Sequence, residues 1–465
     1  MPTAPSSGMN RVNVFIFPQR EFIARRHTDQ GLRAIQHNAE IFYGWQAERG
    51  VYAEMSEDHV RSELYDFLES AKCWTQGGKP TLIPFESTQK KVSMVVDALK
   101  GVTYLDEASK PPRWLVSNSK LDPRDMLPCR NGLLHIPTRT LYPAIPALFV
   151  LNGVSYDYDP QALKPKVLNK FLLDLWPNDE ESRETLQEIF GYIITPRTDL
   201  QKIPMIIGPP RGGKGTIVRL LCAVIGERNC CAPTLNGLTQ QFGLQTLIDK
   251  SLAVISDMRV NARTDSNVIA ERLLSISGED AQSIPRKFKG DWNGKLSVRF
   301  LLFSNEIPWI EDSSGALASR YVVLKLTESF LGREDTKHFG KLMTELPSIL
   351  NWALAGRDRL FKRGSFLQPK SAEDLIETIA DLGSPVARFL ADECLEGVEG
   401  KEKITCQALY NQWKVWCERI GKINHGSVQV LSRNIHAIKP LLKIKREPDG
   451  KRDRYWDGLG LKPWP

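Results

Sequence analysis

The chain has 465 residues, 42% of them hydrophobic, a formal net charge of +7 and eight cysteines, enough for two to four domains with buried cores. No apolar run reaches the roughly 18 residues that a membrane span needs, and the N-terminus lacks the apolar centre of a secretion signal, so a cytoplasmic protein with no membrane partner is expected. The cysteines are scattered without a C-x-x-C pair, which argues for reduced thiols and against a zinc site or disulfide framework.

In chain order, MPTAPSSGMN reads as a flexible tail or non-native extension with Met9 a candidate start, and residues 1–28 are expected to be tail. Residues 29–190 read as a mixed, helical N-terminal region. Aromatic-rich segments (Ile41–Trp45, Ser62–Trp74) are followed by proline punctuation at Lys110–Arg113 and Pro123–Pro128, then by short strands over Asn131–Pro146. From Ala162 a helical stripe carries Leu168, Leu172 and Leu175. A second helix, Glu181–Thr195, carries Leu186, Ile189, Phe190 and Ile193, so the pair should form a helical layer ahead of the core.

Residues 191–350 alternate. Lys202–Ile207, Leu252–Ser256, Val298–Ser304 and Tyr321–Leu326 are apolar runs of strand length, while Gly215–Ile225 and Asn267–Ile276 have helical patterns. Continuous apolar strands separated by helices predict an α/β domain with a parallel sheet covered on both faces. Residues 351–384 read as a helical linker.

The last segment, 385–465, differs in charge. From Lys401 onward there are 14 Lys/Arg against 6 Asp/Glu, a net +8 that exceeds the +7 of the whole chain. Pro385–Leu395 is a short helix. Thr405 can cap the next, whose apolar face is Leu409, Trp413, Trp416 and Ile420. Ser427–Ile438 bears Arg433 and His436, with Lys439 following; Leu441–Arg446, a Pro448–Gly450 turn and Arg454–Leu461 then form a basic hairpin. Three helices and a hairpin is winged-helix order. Arg433, Lys439, Lys451 and Arg452 are candidate DNA contacts there; a solvated basic face or a protein-docking winged helix is the alternative.

The motif that carries chemistry is Gly208-Pro209-Pro210-Arg211-Gly212-Gly213-Lys214-Gly215-Thr216, which follows a strand and opens a helix. Glycines let backbone N–H groups surround phosphate oxygens, the helix N-terminus adds positive potential, and Lys214 supplies a point charge. In the strict pattern a Ser or Thr follows the lysine at once; here Gly215 intervenes and Thr216 is the candidate metal-contacting hydroxyl. The same Gly-Lys-Gly-Thr ending occurs in nucleoside monophosphate kinases, which keeps a small-molecule kinase open.

Three further features lie downstream. Leu252–Asp257 is a strand ending in a carboxylate, suited to a hard metal such as Mg2+; Met258 stands where a second acid would activate water, so the general base is unassigned. Val298–Pro308 is a strand ending in Asn305, which can orient water beside a γ-phosphate or merely begin a turn. Arg320 precedes the next strand and can stabilise charge on a neighbouring chain's γ-phosphate or form a surface salt bridge. Between them, Ser277–Lys295 interleaves Arg286, Lys287, Phe288, Lys289 and Trp292 ahead of an Asn293-Gly294 pair, predicting a projecting hairpin about that Asn-Gly turn.

Together these motifs resemble superfamily 3 helicases, and most of all the helicase half of phage- and plasmid-type primase–helicases, kin of the poxvirus primase–helicase. The upstream segment from Asn131-Gly-Leu-Leu-His through Gly191-Tyr-Ile, the later Leu350-Asn-Trp-Ala-Leu-Ala-Gly and the C-terminal module extend the likeness over roughly residues 38–460. The resemblance implies an AAA+ P-loop ATPase core, ATP and Mg2+, a homo-hexameric ring and 3′-to-5′ movement on single-stranded DNA. It assigns Lys214 to the phosphates, Asp257 to the metal, Asn305 to sensing, Arg320 to a trans-acting finger, and Lys287 or Lys289 to the DNA-gripping hairpin. Asp157 and Asp159 form a D-x-D, yet Pro160 and the following helix favour a turn or cap, so a primase is expected as a separate chain. The expectation is a replicative helicase of a mobile element that meets single- and double-stranded DNA. The alternatives are an AAA+ initiator or switch that binds DNA without unwinding it, and the kinase.

Overall fold

The computed structural model describes residues 18–69, 71–74, 81–106, 109–116, 119–256, 266–287, 289–307, 310, 312, 315–397, 402–419, 425–446 and 454–462. It divides into two compact units: residues 1–164 with 224–229 and 346–351, and residues 165–223 with 230–345 and 352–465.

In the first unit, helices Glu57–Glu69 and Gln89–Val102 set Val60, Leu64 and Leu68, and Val92, Val96 and Leu99, at helical spacing. These pack with Phe22, Ile35 and Phe42 into one core. The antiparallel strands Ile35–Asn38, Ile41–Gln46 and Val51–Met55 lie side by side. The expected tail ends earlier than residue 28, because Pro18–Arg26 is a helix that buries Phe22 and Ile23. That apolar pair alone, amid charge, leaves no helical stripe in the sequence.

The second unit opens with α1 (Lys166–Leu175) and α2 (Glu180–Ile194). Glu345 accepts hydrogen bonds from the N–H groups of Val167 and Leu168, capping α1. The core follows with β1 (Ile203–Ile207), α3 (Lys214–Ile225), β2 (Cys230–Cys231), β3 (Leu252–Ser256), α4 (Ser266–Ser277), the antiparallel pair β4 (Gln282–Arg286) and β5 (Lys289–Gly294), β6 (Arg299–Ser304), α5 (Ala316–Arg320) and β7 (Tyr321–Lys325). The expected α/β core is present as a five-stranded parallel sheet in the order β2-β3-β6-β1-β7. Apart from Arg299 and the carboxyl-terminal Ser256, Ser304 and Lys325, its four longer strands are apolar, as covering on both faces requires.

Two helices come next, α6 (Leu346–Arg363) and α7 (Glu373–Gly383). Helix α6 packs on α2 backbone to backbone. A Cβ on Gly191 would lie 2.4 Å from the Ala353 carbonyl oxygen, and one on Gly356 would lie 2.5 Å from that of Gln187. The buried Glu188 carboxylate, on the same face of α2, pairs with Arg359 and Arg363 of α6.

The C-terminal module contains α8 (Pro385–Glu393), β8 (Cys394–Glu396), β9 (Lys403–Thr405), α9 (Cys406–Arg419), α10 (Val428–Ile438), β10 (Lys443–Arg446), β11 (Arg454–Asp457) and β12 (Leu459–Leu461). Thr405 Oγ1 accepts from Ala408 N and Ser427 Oγ from Val430 N, so each hydroxyl caps the helix it precedes. Strands β9, β11 and β10 form one antiparallel sheet, and β8 pairs with β12. Phe389, Leu409, Trp413, Trp416, Ile435 and Trp456 make its core, with the Trp413 and Trp416 rings stacked 5.4 Å apart. Ile420 and the Pro448–Gly450 turn lie outside the described residues. Among those described, no helix is long and apolar enough to cross a membrane.

Candidate nucleotide site and nucleic-acid surfaces

Sheet register decides which chain ends meet. Ile207 pairs with Ser304 and with Lys325, and Ser256 pairs with Phe303. The carboxyl ends of β1, β3 and β6 therefore share one edge, where a parallel α/β sheet binds ligands. The glycine loop leaves from β1 at this edge, and Gly208 N donates to Ser304 O (3.3 Å). Asn305, the next residue, is exposed. Ser256 ends β3 with its side chain exposed; Asp257 and Met258 lie outside the described residues.

Within the loop, Arg211 (φ 58°) and Gly213 (φ 89°) take the left-handed conformation that lets successive N–H groups converge. A Cβ on Gly208 would stand 2.7 Å from Leu326 O, and one on Gly212 3.0 Å from Glu328 O. The segment after β7 thus leaves no room for side chains at Gly208 and Gly212. Ser329 Oγ donates to Pro210 O and Phe330 N to Arg211 O, so residues 326–330 cradle Pro209 through Gly213 from outside. The sequence offered no sign of this cradle, because its contacts are mostly backbone.

Lys214 opens α3 and is only 7% exposed. Its Nζ donates to the carbonyl oxygens of Gly208 and Pro209, both at 2.6 Å. Among the described residues no carboxylate pairs with it, and burial pushes its pKa below the ordinary lysine value. A buried ammonium held by neutral oxygens at a helix N-terminus is suited to an incoming polyphosphate. Thr216 lies in the first turn of α3, half-buried, with its N–H on Gly213 O. Gly215 is exposed, and a Cβ there would meet nothing within 4 Å. A hydroxyl side chain directly after the lysine would therefore fit sterically.

Arg320 is at the other end of the sheet. It immediately precedes Tyr321, which pairs with Ile203 at the start of β1, and its Nη1 donates to Gln201 O (3.4 Å). Lys202 Nζ donates to Ser319 O beside it, and burial, then the Arg320 charge, lowers the Lys202 pKa. At about 3.3 Å per residue, the length of β1 separates Arg320 from its own glycine loop by roughly 15 Å.

The predicted hairpin is present, but its reversal is not at Asn293-Gly294. Arg286 pairs with Lys289, whereas Asn293 and Gly294 lie opposite Ser283 and Gln282 at the base. Ile284 is fully buried and opposite Trp292, which packs on the core rather than outward. That pairing sets the register and overrides the local turn preference. A register shift at Pro285 accommodates a residue that cannot donate to the ladder. Lys287 is consequently exposed at the tip, its N–H donating to Gln245 Oε1 (3.0 Å).

On the C-terminal module, Arg433 and His436 are exposed on α10. Lys439 Nζ is 2.6 Å from Glu396 Oε1, and Lys445 Nζ is 2.6 Å from Asp457 Oδ2, so part of the basic excess is neutralised internally. Lys451 and Arg452 lie outside the described residues. In the first unit, Asp157 pairs with Arg130 (2.7 Å), and Asp159 Oδ1 accepts from Gln161 N in a turn.

A model of a family of unknown function, DUF5906, matches residues 206–320, from the end of β1 to Arg320. No curated protein matches the chain. In fold the chain is similar to the A-form apo structure of the C-terminal region of NrS-1, with a TM-score of 0.50 and 16% identity over 92% of this chain and 96% of that one. A second A-form apo structure of that region gives 0.48 and 14% identity over the same shares.

Proposed function

We propose that this protein is an ATP-driven DNA helicase of a mobile element's replication machinery, with an AAA+ core of the superfamily 3 type. The observation that carries this reading is the shared edge of β1, β3 and β6, where the buried Lys214, paired with no carboxylate among the described residues, meets a loop with no room for side chains at Gly208 and Gly212. In this reading Lys214 and the loop from Gly208 through Thr216, in which Pro209 and Pro210 carry no N–H, hold the phosphates of ATP. Thr216 and Asp257 would hold Mg2+, which neutralises charge developing on the γ-phosphate. Asn305, one residue past the Ser304 carbonyl bonded to Gly208, orients the attacking water. Arg320 completes the site of the next subunit in a homo-hexameric ring. Movement 3′-to-5′, and a primase supplied as a separate chain, belong to the same proposal.

The hairpin tip supplies the grip on single-stranded DNA. Replacing Lys287 and Lys289 together with Ala is expected to leave DNA-independent ATPase unchanged while DNA stimulation and unwinding fall. Each lost phosphate contact should reduce the salt slope of binding by about one. Unchanged unwinding by the double variant would move the grip elsewhere.

The C-terminal module, read as a DNA-binding winged helix, uses the exposed face of α10 together with Lys439, Lys451 and Arg452. Deleting residues 385–465 is expected to weaken duplex binding about tenfold or more at moderate salt, with a shallower salt slope, because phosphate neutralisation releases counterions. Basal ATP hydrolysis should persist, since every proposed ATP ligand precedes Tyr321. Equal duplex affinity and slope in both proteins would favour a protein-docking role instead.

Unwinding of a forked duplex with ATP and Mg2+ tests the proposal as a whole. Strand separation that disappears in Lys214→Ala is the expected result. DNA-stimulated hydrolysis without strand separation would move the protein to the switch class, and phosphoryl transfer to a nucleotide without DNA would make it a kinase.

A further inference from the structure

Asp312 is a buried carboxylate with no part in the nucleotide edge, at 7% exposure. Its Oδ2 accepts from Leu317 N at 2.6 Å, satisfying an N–H that opens α5, the five-residue helix ending in Arg320. The Asp312 carbonyl accepts from Gly315 N at 3.1 Å, and Gly315 takes the left-handed conformation (φ 69°) that starts the helix. On its other side, Asp312 N donates to the carbonyl oxygen of Gly383 at 2.7 Å. Gly383 is the last residue of α7, and Ser384, immediately after it, caps the first helix of the C-terminal module. One residue thus holds the start of the Arg320 helix and ties it to the end of α7.

The packing around this junction has a weak point. Asp312, Leu317, Tyr321, Ile379 and Gly383 line a cavity of about 10 Å³, room for roughly one water. Tyr321 Oη is buried there without a hydrogen-bond partner among the described residues. Burial first, and the neighbouring Asp312 charge second, raise the Tyr321 pKa and keep the phenol neutral. The phenol thus has no hydrogen bond among the described residues at this point, and the hydrogen bonds of Asp312 orient the start of α5.

We propose that Asp312 is a positioning residue that sets the direction in which Arg320 leaves the sheet and anchors it to the end of α7. The proposal rests on the reading of Arg320 as the residue that completes a neighbouring chain's nucleotide site.

The test compares ATP affinity and steady-state hydrolysis for the full chain carrying Asp312→Ala, Asp312→Asn, Arg320→Ala, and Asp312→Ala with Arg320→Ala. Misplacing a reacting group by about an ångström costs up to about 10²-fold, so Asp312→Ala should lower kcat at least about tenfold. ATP affinity should stay within about twofold, because Lys214 and its loop are at the opposite edge. Asp312→Asn, whose amide oxygen can still accept from Leu317 N, should recover most of the rate. The double variant should be no slower than Arg320→Ala, as expected when one residue acts through the other. A kcat for Asp312→Ala close to wild type overturns the proposal, as do losses that multiply in the double variant. Full activity of Arg320→Ala would instead remove the finger reading on which the proposal rests, whatever the Asp312 variants do. Asp312→Ser, with a hydroxyl that can still cap a helix, carries the same double-variant comparison if circular dichroism finds Asp312→Ala unfolded.

Discussion

Lys214→Ala is expected to abolish ATP hydrolysis and unwinding while the protein stays folded. The lysine is buried, and its two hydrogen bonds go to carbonyl oxygens of its own loop. Truncation removes a cation that burial desolvates and that no carboxylate among the described residues pairs, which is why stability should change little. Alanine also favours the first turn of α3. Catalysis has no such tolerance. A preorganised charge aimed at developing phosphate charge is worth about 10²–10³-fold or more when deleted, and here no other described cation stands among Gly208 through Thr216 except the exposed Arg211. Phosphate release with and without DNA, together with a thermal melt, checks this. Near-normal turnover in a protein melting like wild type would remove the nucleotide-site assignment.

Arg320→Ala should bind ATP as wild type does and lose about 10³–10⁵-fold in hydrolysis, the effect of a missing arginine finger. The reason lies in the sheet. Arg320 sits beside the amino end of β1 and the glycine loop at its carboxyl end, so within one chain the two cannot act on the same phosphate. Mixing supplies the sharper measurement. Arg320→Ala and Lys214→Ala proteins, each inactive, should regain part of the activity together, because some sites then combine an intact loop with an intact arginine. Full activity of Arg320→Ala, or an active monomer at every concentration, would dismiss the arrangement.

The core was readable because its signals are local and strong. Strands Ile203–Ile207, Leu252–Ser256, Arg299–Ser304 and Tyr321–Lys325 stand within a residue of their expected bounds, since each is built on a run of at least four apolar residues. Edge strand Cys230–Cys231 was not readable; two residues show no period, and its place comes from pairing with Leu252 and Ala253. The hairpin was legible as a hairpin but not in register, since Asn293-Gly294 has the stronger turn chemistry and only the burial of Ile284 against Trp292 overrules it. Asp312 carried no signal at all. Three residues separate it from Ala316, and Ser313 and Ser314 lie nearer as nominal caps. Which ends of which strands share an edge is a property of strand order, which no window of sequence contains.

The crossing of α2 and α6 bears on how this chain can change over time. A side chain added at Gly191 would meet the backbone of Ala353 and Arg357, and one added at Gly356 would meet the backbone of Gln187. Crowding between side chains can be relieved by a second substitution that makes the neighbour smaller. Here the neighbour is peptide, which every residue carries, so no compensating change exists at the facing positions. The only routes open are to keep both glycines or to move two helices apart, and the second would also part the buried Glu188 from its arginines.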